Sequence, residues 1–196
     1  DLVFGGWDPI SSNVLEAART CGVLDEKDIA PVSSELEGIV AMDAVFDNRW
    51  VKKLDGKRVK NLDSKWDQAQ ALMADIEKFR VDNECDRLVM VWCGSTEAFQ
   101  EASSVHESVD SFEAGLKSND ENIAPSQIYA YASIMSGVPF ANGAPNLALD
   151  IPCMVELAKS RGVPVAGKDF KTGQTLMKTL LAPGLKARML GLRGWF

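Results

Sequence analysis

Histidine is almost absent from this sequence: of 196 residues, His106 alone carries an imidazole. The four cysteines, Cys21, Cys85, Cys93 and Cys153, form no CxxC pair. One histidine and scattered thiols do not make a zinc site, so no metal is expected. The spacing suggests no disulfide framework, which fits a reducing cytoplasm. Cys85 and Cys153 sit beside apolar runs and read as small core residues. Basic residues are in deficit as well. Lys and Arg total 21 against 28 Asp and Glu, a formal net charge of -7. That argues against nucleic acid as a partner, because a protein that tracks phosphates carries a basic face. No run approaches the roughly 20 apolar residues of a membrane-spanning helix, so no membrane partner is expected. The opening DLVFGGWD has neither the basic start nor the long apolar run of a signal peptide. GxSxG and GxGxxG are both missing, which removes the nucleophile elbow and the dinucleotide fingerprint.

What is present is the composition of a globular chain, 46% hydrophobic and 25% charged. Residues 2–4 read as a short buried strand, and Ser11 or Ser12 as the cap of a helix running toward Cys21. Residues 31–61 show no sustained period and read as loops with short elements. The clearest helix is 66–80, where Trp66, Ala69, Leu72, Met73, Ile76 and Phe79 share one face. Residues 88–92 form an unbroken apolar run, the pattern of a parallel strand buried on both faces. Helices are expected at 106–116, 126–136, 151–161 and 173–181. Strands are expected near 138–141, at 163–166 and at 185–192. Strand and helix alternate, which predicts α/β layers around a mostly parallel sheet.

Four polar turns follow strands: GGWD at 5–8, CGST at 93–96, NGAP at 142–145 and GKDFKTGQT at 167–175. In open parallel sheets ligands bind beyond the carboxyl ends of the strands. Each turn has small residues that let a ligand approach the backbone. The last is the most specific. Thr172, Gly173, Gln174 and Thr175 lie at a helix start, where free N–H groups and the helix dipole favour an anion. Lys168, Lys171 and Lys178 add positive charge. A phosphate or phosphorylated sugar suits that turn; a simple capped helix with solvated lysines uses the same residues. GVPVAGKD at 162–169 nearly fits the P-loop pattern, but Asp169 stands where a hydroxyl is required and 163–166 read as strand, so a P-loop ATPase is disfavoured. His106 reads as a surface helix residue, and the tryptophans Trp7, Trp50, Trp66, Trp92 and Trp195 mostly as core.

At these same turns the chain resembles the myo-inositol-1-phosphate synthase family. The matching pieces are VFGGWD, FDNRWVKKLDGKR, VWCGSTE, IAPSQIYAYASIMSGVPFANGAP and GKDFKTGQT, in the family's order and across nearly the whole chain. The wording is closer to bacterial members; Cys93, Gly94 and Ser95 stand where plant and fungal members have T-A-N. The resemblance implies a Rossmann-like, doubly wound and mostly parallel sheet over 1–170, incomplete here, leading at 171–196 into an α+β catalytic and tetramer-forming domain. It implies conversion of glucose 6-phosphate to inositol phosphate with tightly held NAD, by internal oxidation, enolisation, aldol closure and reduction. Cofactor contacts are implied for Asp8, Val45, Asp55, Arg58, Cys93, Gly94, Ser95, Thr96, Gly143, Ala144, Asp169 and Thr172. Asp55 replaces a glutamine of eukaryotic members. Thr172, Gly173, Gln174 and Thr175 correspond to the segment that receives the substrate phosphate. Asp169, Lys171 and Lys178 are the implied catalytic groups.

Both ends read as cut. The family's glycine-rich G-x-G-G-N-N-G turn falls before residue 1, and most of its catalytic lysines fall after residue 196. The fragment alone is expected to be inactive and of marginal stability. Two other readings of the residues stay open: an ordinary NAD-dependent dehydrogenase, and a non-catalytic module that binds a nucleotide or sugar phosphate.

Overall fold

The computed structural model describes residues 2–10, 12–170 and 175–193. Its centre is a three-stranded parallel sheet in the order β1 (Met90–Trp92), β2 (Phe140–Asn142), β3 (Val165–Gly167). Met90 pairs with Phe140 and Phe140 with Val165; Trp92 pairs with Asn142 and Asn142 with Gly167. All three strands therefore end at one edge, which gathers the turns that follow them.

Helices make the crossovers, as parallel pairing requires. The early chain forms α1 (Val14–Cys21), α2 (Glu26–Ile29) and α3 (Ser33–Gly38). The cap of α1 is Asn13 rather than a preceding serine, because its side chain takes the Glu16 N–H while Glu16 reaches back to the Asn13 N–H, a reciprocal capping box. Next, α4 (Lys65–Asp82) starts at the Ser64 cap and buries Ala69, Leu72 and Ile76. Between β1 and β2 run α5 (Val109–Ser118) and α6 (Pro125–Met135). Every residue of α6 from Pro125 to Ile134 is buried, so this helix is the axis of the core. It packs on α4 and on α7 (Pro152–Arg161), the crossover to β3. Gly162 ends α7 in the left-handed conformation, at φ 64°. Cys153 is buried there as expected, its thiol pushed up to about 12 chiefly by burial; Cys85 is only partly buried. Trp7, Trp66 and Trp92 pack against the core from its margin, while Trp195 lies outside the described residues.

Four further expectations fail, each for a local reason. Residues 2–4 pair with no strand among the described residues, and Leu2 and Phe4 are 85% and 83% exposed. The run at 88–92 is not covered on both faces: Val89 and Val91 are exposed, because no described layer packs over that side. His106 is fully buried rather than on the surface; a short 3-10 turn at Ser104–His106 turns the ring inward, where Nδ1 accepts the Ser103 N–H and Nε2 meets Gln127 Oε1. Last, residues 185–192 are not a strand. The final helix, α8 (Thr175–Ala187), runs through Leu185, and the N–H groups of Arg188 and Leu190 close its end onto Gly184 and Leu185. Leu176, Met177, Leu180 and Leu181 of α8 are all exposed. No described helix is long and apolar enough to cross a membrane.

Candidate functional site

Along β1, from Leu88 to the turn beyond its carboxyl end, lies a cavity of about 490 Å³. Its wall takes residues 5–10 from the first polar turn, Met42, Ala44, Val45 and Phe46 from the facing loop, and Cys93, Gly94, Ser95 and Glu97 from the second turn. The first turn is held by a parallel bridge: Met42 donates its N–H to Gly6 O at 2.8 Å, and Asp8 donates to Met42 O at 3.1 Å. Trp7 anchors it from below, its Nε1–H reaching Asp75 Oδ2 at 2.7 Å. Asp75 also pairs with Lys60 at 2.8 Å. Asp8 accepts the Ile10 N–H at 2.7 Å and keeps its carboxylate exposed.

The floor is aromatic. Tyr129 of α6 stands between Trp7 and Trp92, with ring centroids 5.3 and 5.2 Å away. Its hydroxyl accepts the Val45 N–H at 2.9 Å, and burial raises its pKa. Glu97 is the buried acid of the site. Its carboxylate accepts the Ser126 N–H at 2.8 Å and the Ser126 hydroxyl at 2.5 Å, in the first turn of α6. Burial outweighs these two bonds and pushes its pKa up to about 7.

The third and fourth turns close against the second. Gly143 donates to Trp92 O at 2.8 Å; Asp169 donates to Ala144 O and Phe170 to Gly143 O, at 3.1 and 3.2 Å. A Cβ at Gly143 would lie 2.7 Å from Trp92 O and 2.9 Å from the Phe170 ring, so only glycine permits this approach. Asn142 and Asn146 are buried between the turns, the Asn142 Nδ2–H donating to Asn146 O. Lys168 pairs with Asp150 at 2.8 Å.

The sequence-derived residues therefore divide. Asp8, Val45, Cys93, Gly94 and Ser95 line the cavity. Thr96 is exposed just beyond it. Gly143, Ala144 and Asp169 meet one another at the sheet edge, outside the cavity wall. Asp55 lines a second, polar cavity of about 340 Å³ that shares Val45, Phe46 and Pro125 with the first. Arg58 pairs with Asp43 at 2.9 Å. Lys171, Thr172, Gly173 and Gln174 lie outside the described residues; Thr175 opens α8 and Lys178 follows one turn later. Glu97, Tyr129 and Ser126 were not singled out as site residues. Glu97 and Ser126 have a visible signal: an acid just behind a small-residue turn, and a serine in the first turn of an apolar helix.

The wall suits a dinucleotide. Small residues at Gly5, Gly6 and Gly94 expose backbone, and an exposed carboxylate such as that of Asp8 suits ribose hydroxyls. Trp92, also in the wall, keeps a buried indole N–H with no partner among the described residues. A parallel α/β sheet with such a cavity beside its edge strand β1 and the turn that follows it defines an NAD-binding domain of the Rossmann type.

The comparisons specify which one. The sequence model of the myo-inositol-1-phosphate synthase NAD-binding domain matches residues 1–189, and the chain belongs to this family. It is 48% identical to inositol-3-phosphate synthase 1 of Bacteroides thetaiotaomicron, over all of this chain and 46% of that protein. It is 36% identical to inositol-3-phosphate synthase of Trypanosoma brucei brucei, over 91% of this chain and 34% of that one. The crystal structure of inositol-3-phosphate synthase from Caenorhabditis elegans superposes with a TM-score of 0.85 at 29% identity, over 93% of this chain and 37% of that chain. The chain thus spans less than half the length of these relatives.

Proposed function

We propose that this chain is the NAD-binding part of an isomerase that converts D-glucose 6-phosphate to 1D-myo-inositol 3-phosphate, for inositol and phospholipid biosynthesis. The enzyme is a cytoplasmic homotetramer in this reading. Residues 1–170 hold the cofactor and 171–196 begin the catalytic and tetramer-forming domain. The observation that carries the proposal is the convergence of Asp8, Val45, Cys93, Gly94 and Ser95 on one cavity that runs along edge strand β1 of a parallel sheet and past its carboxyl end. NAD, when bound, supplies a hydride acceptor that is restored within the same turnover.

The chain's own residues bind, orient and neutralise. Asp8 holds ribose hydroxyls, and the small residues at 93–96 bring backbone up to the cofactor. The Trp7, Tyr129 and Trp92 cluster makes the wall rigid and dry beneath it. The substrate phosphate is assigned to Thr172, Gly173, Gln174 and Thr175, a hydroxyl-rich stretch leading into α8. Lys171 and Lys178 set positive charge against developing oxyanions, where fixed donors in a dry site are most effective. Asp169 orients from the neighbouring turn, tied by its N–H to Ala144 O.

The test is incubation of the full-length protein with glucose 6-phosphate and NAD, assaying inositol phosphate and NADH together. Inositol phosphate without accumulating NADH is expected. NADH without inositol phosphate would assign a dehydrogenase. Binding of both ligands with neither product would assign a non-catalytic module.

A further inference from the structure

The turn at 93–96 has almost nothing to hold it. Among the described residues, Cys93, Gly94, Ser95 and Thr96 make no hydrogen bond to the rest of the chain. The turn is fixed only at its two ends. At one end Trp92 lies in the sheet and against Tyr129. At the other stands Glu97, 8% exposed, which is bonded to two separate elements. Its carboxylate takes the N–H and hydroxyl of Ser126 on α6. Its own N–H donates to Asn146 Oδ1 at 3.0 Å, in the loop after β2. Ala98, next to it, donates to Trp50 O at 2.8 Å.

A carboxylate desolvated this far is costly and is normally matched by a cation. Here its two bonded donors are neutral, the N–H and hydroxyl of Ser126 in the first turn of a helix, where the dipole favours negative charge. An apolar residue would fill the same space without that cost. What an apolar residue lacks is direction: two bonds from one serine fix the carboxylate in position and angle, and with it the last residue of the turn.

We propose that Glu97 is a positioning residue for the cofactor, a clamp that ties the 93–96 turn to α6 and so sets its place in the cavity wall. The proposal rests on the reading of this cavity as the NAD site. It assigns to Glu97 no contact with substrate and no proton transfer.

The test compares the full-length wild type with Glu97→Ala, Glu97→Gln and Ser126→Ala, titrating NAD by calorimetry and measuring kcat and KM for NAD. Glu97→Ala is expected to weaken NAD about tenfold, equivalent to about 1.4 kcal/mol, with kcat at saturating NAD nearly unchanged. Ser126→Ala is expected to weaken NAD in the same sense, and the double variant no more than Glu97→Ala alone, because both cut one connection. Glu97→Gln, which can accept the Ser126 N–H and donate to its hydroxyl, is expected to restore most of the affinity. If Glu97→Ala does not fold, the split between KM and kcat in Ser126→Ala decides. Wild-type affinity in both Glu97→Ala and Ser126→Ala, or a loss in kcat with KM unchanged, overturns the clamp. A wild type that binds no NAD overturns the cavity assignment instead.

Discussion

The hydroxyl of Tyr129 accepts a hydrogen bond from the Val45 N–H at 2.9 Å, joining residues 84 positions apart in the chain. The bond connects the central helix α6 to the loop that roofs both cavities. Tyr129→Phe keeps the ring contacts with Trp7 and Trp92 but leaves a buried N–H unpaired. It should lower unfolding stability by about 1–3 kcal/mol. Denaturant midpoints check this, and NAD titration should show weakened binding, since Val45 is in the cavity wall.

Gly143→Ala should be more damaging than its size suggests. The added Cβ meets Trp92 O at 2.7 Å and the Phe170 ring at 2.9 Å, and both neighbours are tied to Gly143 by backbone bonds. Overpacking of this kind costs about 1–3 kcal/mol. A thermal melt of the variant would show a clear drop; an unchanged melting temperature would mean that the two turns do not meet this closely.

Stability should depend on pH through Glu97. Its folded pKa, about 7, lies above the ordinary value of 4.5 because burial disfavours the charge. The native state therefore holds a proton that the unfolded chain gives up between these two values. Stability must fall as pH rises from about 4.5 to about 7, and Glu97 adds no further slope above that. The full shift corresponds to roughly 3 kcal/mol, at about 1.4 kcal/mol for each pH unit. Melts of wild type and Glu97→Gln across this window should diverge in slope; parallel curves would show that Glu97 titrates normally.

The start of α8 is proposed to hold the substrate phosphate. Replacing Thr175 by Val and Lys178 by Ala in the full-length protein should weaken glucose 6-phosphate much more than NAD. Calorimetry with each ligand separates the two effects, and equal losses for both would sink the assignment.

Much of this fold is written locally. The apolar face of α4 and the helix expected at 126–136 rest on spacing, and both survive in the structure, as α4 and α6. The alternation of strands and helices gives the parallel sheet for the same reason. What was not legible is what depends on a neighbour. Residues 88–92 announce burial, yet Val89 and Val91 are exposed because no described layer covers them. A lone histidine between valine and glutamate looks superficial, yet Gln127 and Ser103 accommodate His106 in the core. Residues 185–192 alternate apolar and basic groups like a strand, yet the helix begun at Thr175 carries through Leu185. The site divides similarly: the polar turns are visible as turns, while Tyr129 looks like any aromatic on an apolar helix until Val45 is placed over it.

The cavity wall is stitched by bonds between residues remote in the chain: Trp7 with Asp75, Val45 with Tyr129, Glu97 with Asn146. None of these can form before the later partner has been synthesised. A growing polypeptide therefore has its first turn and its facing loop waiting, solvent-facing, while α6 and the loop after β2 are still being made. Closing such long loops is the slow part of folding. The pocket is whole only once Asn146 has been made, and a ligand that occupies it favours the finished domain over every shorter or half-folded form of the chain.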